Sequence, residues 1–260
     1  MIGSTLRQVV RGAGFGLLTL GAGTGVLVQV TLAEGTLHRS RARDFWASSW
    51  SKALLRLFHV DMVVHGDPGD MGIGRGKGRV VAANHRSIID IAVMLSQFGG
   101  SVLSRGEVAR WPIIGYGARS AGTIFVDRSS KQSGAQAIAA MVERLSLDDT
   151  ICIFPEGTTF VDDEVRPFRL GAFVAASRAR TPVLPVGIAY PLDSGAAYGG
   201  ESFVTHLARL AATPTSRVFV EIGSPVTPGD DEPVEAFAGR CRDAVAALVA
   251  RAREREAARG

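Results

Sequence analysis

The sequence is poor in cysteine, and its two cysteines lack the spacings that would make them structural. Cys152 and Cys241 lie far apart, without CxxC spacing or a histidine cluster beside them, which argues against a disulfide framework and a structural zinc site. Cys152 lies in the apolar run 151–154 and is predicted to be a small buried hydrophobic residue. The chain also has no GxSxG motif. We therefore expect no metal and no nucleophilic serine or cysteine.

Charge is also sparse and unevenly distributed. Charged residues make up 21% of the chain, and none occurs between Arg11 and Glu34. The 29 basic and 25 acidic residues leave a net charge of +4. This modest excess suits an anionic membrane surface or a phosphorylated substrate, but it is not the dense basic stripe of a nucleic-acid-binding protein. No nucleic-acid partner is expected.

The uncharged stretch 12–33 is long enough to cross a bilayer as a helix. Arginines lie on both sides of it, so the positive-inside rule gives no orientation, and a segment that dips into one leaflet and returns fits equally well. A secretory signal peptide is a further alternative, although the apolar run is longer than the usual h-region. Residues 45–58 then form an aromatic-rich amphipathic pattern, which indicates a helix that lies in the headgroup layer or packs on the core.

From residue 60 onward, short β-like runs alternate with helical ones. The runs rich in Val and Ile that we predict as strands are 60–65, 79–83, 122–126, 150–154, 183–189 and 217–222. Predicted helices are 88–97, 134–145, 171–179 and a final amphipathic helix after residue 230. The alternation indicates an α/β sheet with helices packed on it.

Three regions follow from these patterns. Residues 1–58 are predicted to be a membrane-associating helical segment, and 59–230 an α/β domain. Residues 231–260 are predicted to be an amphipathic helix with a charged tail that frays. The glycine-rich stretch 71–78 lacks the phosphate-loop and GxGxxG spacings and is predicted to be a surface loop.

The sharpest chemical feature is a histidine and a carboxylate just after the predicted strand 79–83. His85 and Asp90 are five residues apart, so they would not share one face of a regular helix. They can meet if His85 lies in the strand-to-helix turn and Asp90 in the first helical turns. Asp90 would then fix the imidazole tautomer, leaving the other ring nitrogen free to take a proton. The pair is a candidate general base.

The same residues also have a purely structural explanation. The segment 87–90 matches a capping box before an apolar run, so Asp90 could serve only to cap a helix. His85 could equally be a hydrogen-bonded turn residue. These residues alone leave both explanations open.

Three further segments follow in a specific order. The first, 122–128, ends a predicted strand with an arginine, and the second, 154–159, ends another with a carboxylate, a glycine and two hydroxyls. The third, 181–186, carries two prolines in a strand-like run. Together with 84–90, these blocks resemble the glycerolipid acyltransferase family, which includes bacterial 1-acylglycerol-3-phosphate acyltransferases. The resemblance covers residues 60–223.

The resemblance implies a mixed α/β sheet flanked by helices and preceded by membrane-associating helices. It implies that His85 is the general base and Asp90 its orienting partner. It also implies that the acceptor is bound by Arg105, Arg128, Glu156, Gly157, Thr158 and Arg169. Arginine suits this role because its fork can hold a phosphate through two hydrogen bonds. For Arg128, the structural alternative is a surface ion pair with Asp127 or Glu156.

Two positions depart from the family pattern. The family commonly has lysine where this chain has Arg105, so a phosphate contact there would have a different geometry. Relatives often have arginine or serine where this chain has Thr159. This difference weakens any detailed inference about the acceptor headgroup.

The implied activity is transfer of a fatty acyl group to the free hydroxyl of 1-acylglycerol-3-phosphate, giving phosphatidic acid. The donor would be acyl-CoA or acyl carrier protein, as a co-substrate rather than a cofactor. With no nucleophile motif in the chain, we expect direct transfer in a ternary complex. A lysophospholipid acceptor resides in the membrane bilayer and the donor is cytosolic, so we expect a cytoplasmic membrane protein whose site faces the cytosol.

Three other activities remain open. An acyltransferase for lyso-ornithine lipid or another lysolipid keeps the fold, and the segment 198–203 with His206 faintly resembles that branch. Such an acceptor has no phosphate for Arg128 to bind. An acyl thioesterase would use water with the same His/Asp pair but would leave Arg105, Arg128 and Glu156 without a common purpose. A non-catalytic membrane scaffold is disfavoured because both His85 and Asp90 are present.

Overall fold

One seven-stranded sheet organises the part of the chain that the computed structural model describes, residues 2–67 and 78–258. Its strands are β1 (Val60–His65), β2 (Arg79–Ala83), β3 (Ser101–Arg105), β4 (Ile124–Val126), β5 (Thr150–Ile153), β6 (Val183–Ala189) and β7 (Ser216–Ile222). The order across the sheet is β1-β7-β6-β2-β5-β3-β4. Neighbouring strands are parallel except β6 and β7, which confirms the expected mixed sheet.

Helices cover both faces of this sheet. They are α1 (Ile2–Leu32), α2 (Thr36–Leu57), α3 (Ile89–Phe98), α4 (Ile114–Ser120), α5 (Lys131–Ser146), α6 (Gly171–Arg178), α7 (Phe203–Ala212) and α8 (Val234–Ala257). Alternate residues of a strand point to opposite faces, so Val81 and Ala83 pack against α2, α3 and α7. Val80 and Ala82 pack against α5, α6 and α8 on the other face. A short 3₁₀ helix, Gly106–Arg110, follows β3.

The first two helices form an antiparallel pair that lies along the domain. The Trp46 indole donates to Gln29 at 2.8 Å, and that of Trp50 donates to Thr19 at 3.1 Å. At its start α1 is tied to the end of α7, where Arg7 donates to the carbonyl of Ala212 at 3.0 Å. The uncharged stretch is thus part of one uninterrupted 31-residue helix.

The amphipathic segment 45–58 packs mostly on the core. This is one of its two predicted placements, the other being the headgroup layer. Leu55 and Phe58 are buried in the apolar cluster on the α3 face of the sheet. Phe45 is the exception, because its side chain is 60% exposed.

Several predicted elements need correction. The sequence patterns missed β3, α4 and α7. The charged tail was predicted to fray, but α8 is helical through Ala257, and Arg255 binds Glu221 of β7 at 2.5 Å. The predicted surface loop at 71–78 lies outside the described residues except for Gly78, as do residues 259 and 260 of the tail.

Candidate active site at the carboxyl edge of the sheet

The carboxyl ends of the parallel strands bring the predicted site residues to one edge of the sheet. β2 ends at Ala83, and the turn 84–88 leads into α3. In this turn His85 Nδ1 lies 2.9 Å from Asp90 Oδ2. The Asp90 side chain is fully buried, whereas that of His85 is 17% exposed. Among the described residues Nε2 of His85 has no hydrogen-bond partner, so this nitrogen is available to a substrate.

Asp90 is held by four donors at its two oxygens. Besides His85, Oδ2 accepts from the backbone N–H groups of Arg86 at 2.6 Å and Ser87 at 2.8 Å. Oδ1 accepts from the hydroxyl of Tyr190 at 2.6 Å. Burial, and then the adjacent Asp90, raise the pKa of Tyr190 well above its usual value, so the hydroxyl remains a donor. An ionised carboxylate only accepts, which fixes the proton of a neutral His85 on Nδ1.

The capping explanation for Asp90 proves to be compatible with the His/Asp pair. The helix α3 begins at Ile89, and Ile88 in the N-cap position supplies no side-chain cap. Asp90 instead reaches back to the N–H groups of the turn that precedes the helix. The same carboxylate therefore closes the turn and orients His85.

Three contacts hold the His85 ring and its turn in place. The imidazole stacks on Phe154 with ring centroids 4.0 Å apart and 15° between the planes. The backbone carbonyl of His85 accepts from the N–H of Phe160 at 3.1 Å. The Asn84 side chain bonds both the carbonyl and the N–H of Ile188 on β6, at 2.9 and 2.8 Å. The general-base candidate is thus fixed in position by the end of the neighbouring strand.

Glu156 lies beside the turn, with both carboxylate oxygens bonded inside the protein. Oε2 accepts from the backbone N–H of His85 and Oε1 from that of Arg166, each at 2.9 Å. Glu156 is 8% exposed, and burial raises its pKa, although these N–H bonds partly oppose the rise. The structure therefore places Glu156 as a support of the His85 backbone, and its contact with an acceptor stays a prediction.

Arg128 and Arg169 meet at Gly157, and the charge of Arg105 acts on Arg128, so the three form an arginine cluster. The Arg128 guanidinium donates to the carbonyl of Gly157, and a Cβ at residue 157 would meet the side chains of Arg128 and Arg169. Gly157 has φ of +85°, a conformation that favours glycine. Burial, and then Arg169 and Arg105, lower the pKa of Arg128. Thr158 is exposed next to this cluster.

The arginine cluster is only weakly neutralised. Arg105 pairs with Glu107 at 2.8 Å, and both side chains are about half exposed. The predicted surface pairs of Arg128 with Asp127 or Glu156 are not among the ion pairs of the described residues. The site therefore combines a fixed imidazole with a patch of positive charge, which suits an anionic group.

An apolar cavity of about 160 Å³ adjoins the turn 84–88 that carries His85. Ile88 and Ile89 border it next to the turn, and Val26, Trp50 and Phe203 line it on α1, α2 and α7. The sequence patterns pointed to neither this cavity nor Tyr190. The one available signal for Tyr190 was its place directly after the predicted strand 183–189, at the same sheet edge as His85.

Comparisons with known proteins show that the chain is similar to acyltransferases. A family model described as Acyltransferase matches residues 69–189, which contain His85, Asp90 and the arginine cluster. A 1-acyl-sn-glycerol-3-phosphate acyltransferase of Neisseria gonorrhoeae is 27% identical over 178 residues, or 66% of this chain and 70% of the relative. A lyso-ornithine lipid O-acyltransferase of Pseudomonas aeruginosa is 29% identical over 231 residues, or 85% of each.

A solved structure shares the fold over nearly the whole chain. The 1-acyl-sn-glycerophosphate acyltransferase of Thermotoga maritima superposes with a TM-score of 0.74 and covers 96% of both chains. The two sequences are 23% identical. At this identity the match shows only that the two proteins share the same arrangement of helices and strands.

Proposed function

Because the family model, the relatives and the fold support a glycerolipid acyltransferase family, we propose that this acyltransferase acylates the free hydroxyl of 1-acylglycerol-3-phosphate. The donor is acyl-CoA or acyl carrier protein, and the product is phosphatidic acid. The observation that carries the proposal is His85, whose Nδ1 is fixed by Asp90 and whose Nε2 has no partner among the described residues. The backbone N–H of His85 donates to Glu156, and the next residue, Gly157, accepts from Arg128 of the arginine cluster.

The proposed chemistry is a direct transfer. Nε2 of His85 takes the proton of the acceptor hydroxyl as its oxygen attacks the thioester carbonyl. The carbon–sulfur bond then breaks, and the thiolate leaves and takes up the proton from the imidazolium. Asp90 stabilises the imidazolium while it exists, because its buried carboxylate lies 2.9 Å from Nδ1.

Substrate binding is assigned to two neighbouring regions. The cluster of Arg105, Arg128 and Arg169 binds the acceptor phosphate, for which its weakly neutralised positive charge is suited. The apolar cavity beside Ile88 holds the acyl chain of the donor, whose thioester then lies near His85. The thioester and the hydroxyl thereby meet at Nε2.

The proposed location is the cytoplasmic membrane, with the site facing the cytosol. The helix segment Gly3–Leu32 is long and apolar enough to cross a membrane, with a mean hydropathy of 1.6. Large hydrophobic side chains on α1 are exposed, among them Leu17 at 72% and Leu32 at 79%. Since α1 also packs along the domain, we assign its exposed face to the lipid, which is where the acceptor resides.

A second candidate acceptor is lyso-ornithine lipid. The relative with that activity covers 85% of this chain, compared with 66% for the Neisseria gonorrhoeae relative. This acceptor has a free hydroxyl for His85 but no phosphate for the arginine cluster.

One experiment separates these acceptors. Purified protein in vesicles receives labelled acyl-CoA together with either lysophosphatidic acid or lyso-ornithine lipid. Labelled phosphatidic acid is the expected product. Acylation of lyso-ornithine lipid alone reassigns the acceptor, and release of free fatty acid without any acylated lipid identifies a thioesterase and refutes the proposal.

A further inference from the structure

The segment 198–206 holds the turn that carries His85. The backbone N–H of Tyr198 donates to the carbonyl of Arg86 at 2.6 Å. His206 Nε2 lies 3.3 Å from Ser87 Oγ. Arg86 and Ser87 are the two residues whose N–H groups donate to Asp90. This one segment therefore contacts both residues whose N–H groups bind the Asp90 carboxylate.

His206 is a buried histidine that the proposed chemistry does not use. Its side chain is 0% exposed, and Nδ1 lies 3.0 Å from Glu201 Oε1. The ring of Tyr198 stacks on it with centroids 4.6 Å apart. Arg209 contacts both Glu201 and Nδ1 of His206. Both ring nitrogens of His206 therefore have partners: Nδ1 contacts Glu201 and Arg209, and Nε2 contacts Ser87.

The ring of His206 can bond Ser87 in either neutral form. Burial, and then Arg209, lower the pKa of His206, which favours the neutral imidazole. A hydroxyl both donates and accepts, so Ser87 can donate to a bare Nε2 or accept from a protonated one. Ser87 Oγ also accepts from the N–H of Ile89 at 3.3 Å, at the start of α3. The hydroxyl therefore links α7 to the first residue of the helix that carries Asp90.

We propose that His206 is a positioning residue for acyl transfer, acting through Ser87 to fix the turn that presents His85 and supplies two N–H donors to Asp90. This inference rests on the proposed function, in which His85 is the general base. A shift of a base by about 1 Å can cost about 100-fold in rate. Loss of the contact at Ser87 is therefore expected to slow turnover without weakening substrate binding.

The test compares His206→Leu with His206→Gln. A glutamine amide nitrogen can replace Nε2 at Ser87, whereas leucine has no polar atom. For His206→Leu we expect kcat to fall about 10- to 100-fold with both KM values within about twofold of wild type. His206→Gln is expected to keep kcat within about threefold of wild type. Val204→Ala, at a 72% exposed position on the same helix, is the matched control.

A second readout does not depend on activity. Deuterium uptake by a peptide covering residues 84–90 reports the N–H groups of Arg86 and Ser87 that are bonded to Asp90. Uptake is expected to rise in His206→Leu but not in His206→Gln. If His206→Leu does not fold, Ser87→Ala removes the same contact with a smaller change and is expected to show the same loss of kcat and the same rise in uptake.

The outcomes separate this inference from the proposed function. Equal losses of kcat in His206→Leu and His206→Gln, or normal kcat and normal uptake in Ser87→Ala, overturn the positioning role. If wild type acylates no lysolipid, the proposed function fails, and the uptake of the 84–90 peptide still decides whether His206 orders the turn.

Discussion

Asp90 and His85 meet through their side chains across five residues of sequence, with Oδ2 and Nδ1 2.9 Å apart. The contact leaves Nε2 of His85 without a hydrogen-bond partner among the described residues. Because the carboxylate accepts from Nδ1, it selects the tautomer in which Nε2 can take a proton.

Replacing Asp90 by asparagine is expected to slow acyl transfer while the protein remains folded. The amide cannot stabilise an imidazolium as a carboxylate does, and it no longer fixes the tautomer of His85. We expect kcat to fall about 100- to 1000-fold. The measurement is the rate with labelled acyl-CoA at saturating acceptor. Wild-type turnover in Asp90→Asn would show that the carboxylate serves only to close the turn.

Replacing Tyr190 by phenylalanine removes the donor to Oδ1 of Asp90, which lies 2.6 Å away. A buried carboxylate that loses one hydrogen bond is destabilised by about 1–3 kcal/mol. We expect a lower unfolding midpoint and about a tenfold lower kcat, since Asp90 is less firmly held. The acceptor KM is expected to be unchanged. A large rise in that KM with normal kcat would instead place Tyr190 in acceptor binding.

Replacing Arg128 by alanine is expected to weaken acceptor binding selectively. A charge-assisted hydrogen bond contributes about 1.5–3 kcal/mol, so the acceptor KM should rise about 10- to 100-fold. The KM for acyl-CoA should change by less than about twofold. Arg242→Ala, which removes an exposed arginine on α8, controls for the loss of one positive charge. Equal effects of Arg128→Ala on both KM values would contradict the phosphate assignment.

Asp44 on α2 gives a prediction about pH and stability. Burial, and then Asp149, raise the pKa of Asp44 to about 6, above the usual value for an unfolded chain. The stability that its protonated form contributes is present below about pH 4 and is lost as pH rises through about 6. Asp44→Asn can keep the hydrogen bond from the Gly100 N–H.

We therefore expect Asp44→Asn to be about 2 kcal/mol more stable than wild type at pH 8, a difference that disappears near pH 4. Unfolding midpoints at the two pH values measure it. Asp243→Asn, at a position with a 68% exposed side chain, is the control and should show no such trend. A constant difference between Asp44→Asn and wild type across this range would contradict the assignment.

The fold was largely predictable because the local strand and helix patterns of the sequence match the layers in which these elements pack. Val60–His65 and Val183–Ala189 were placed correctly, since each is rich in Val or Ile and is bordered by glycine or proline. β3 was missed because Val102 and Leu103 are its only apolar residues, and it is a strand through pairing with β4 and β5. In α7, Phe203, Leu207 and Leu210 carry a helical spacing that was present in the sequence but not used.

The site was predictable where its residues are close in sequence. The five-residue spacing allowed His85 and Asp90 to meet if a turn preceded the helix, and the structure has that geometry. The contacts of Tyr190 with Asp90 and of His206 with Ser87 join residues about 100 positions apart. Such contacts depend on how the strands are ordered in the sheet, which local sequence patterns do not specify.

The most direct test of the account is acyl transfer by His85→Ala. Purified wild type and variant are placed in vesicles with lysophosphatidic acid and labelled acyl-CoA. The matched control is His65→Ala. His65 lies on β1, at one end of the strand order, whereas the arginine cluster lies beside β3 and β4 at the other end. Labelled phosphatidic acid is expected from wild type and His65→Ala, and none above background from His85→Ala. Equal product from all three proteins would show that His85 is not the base.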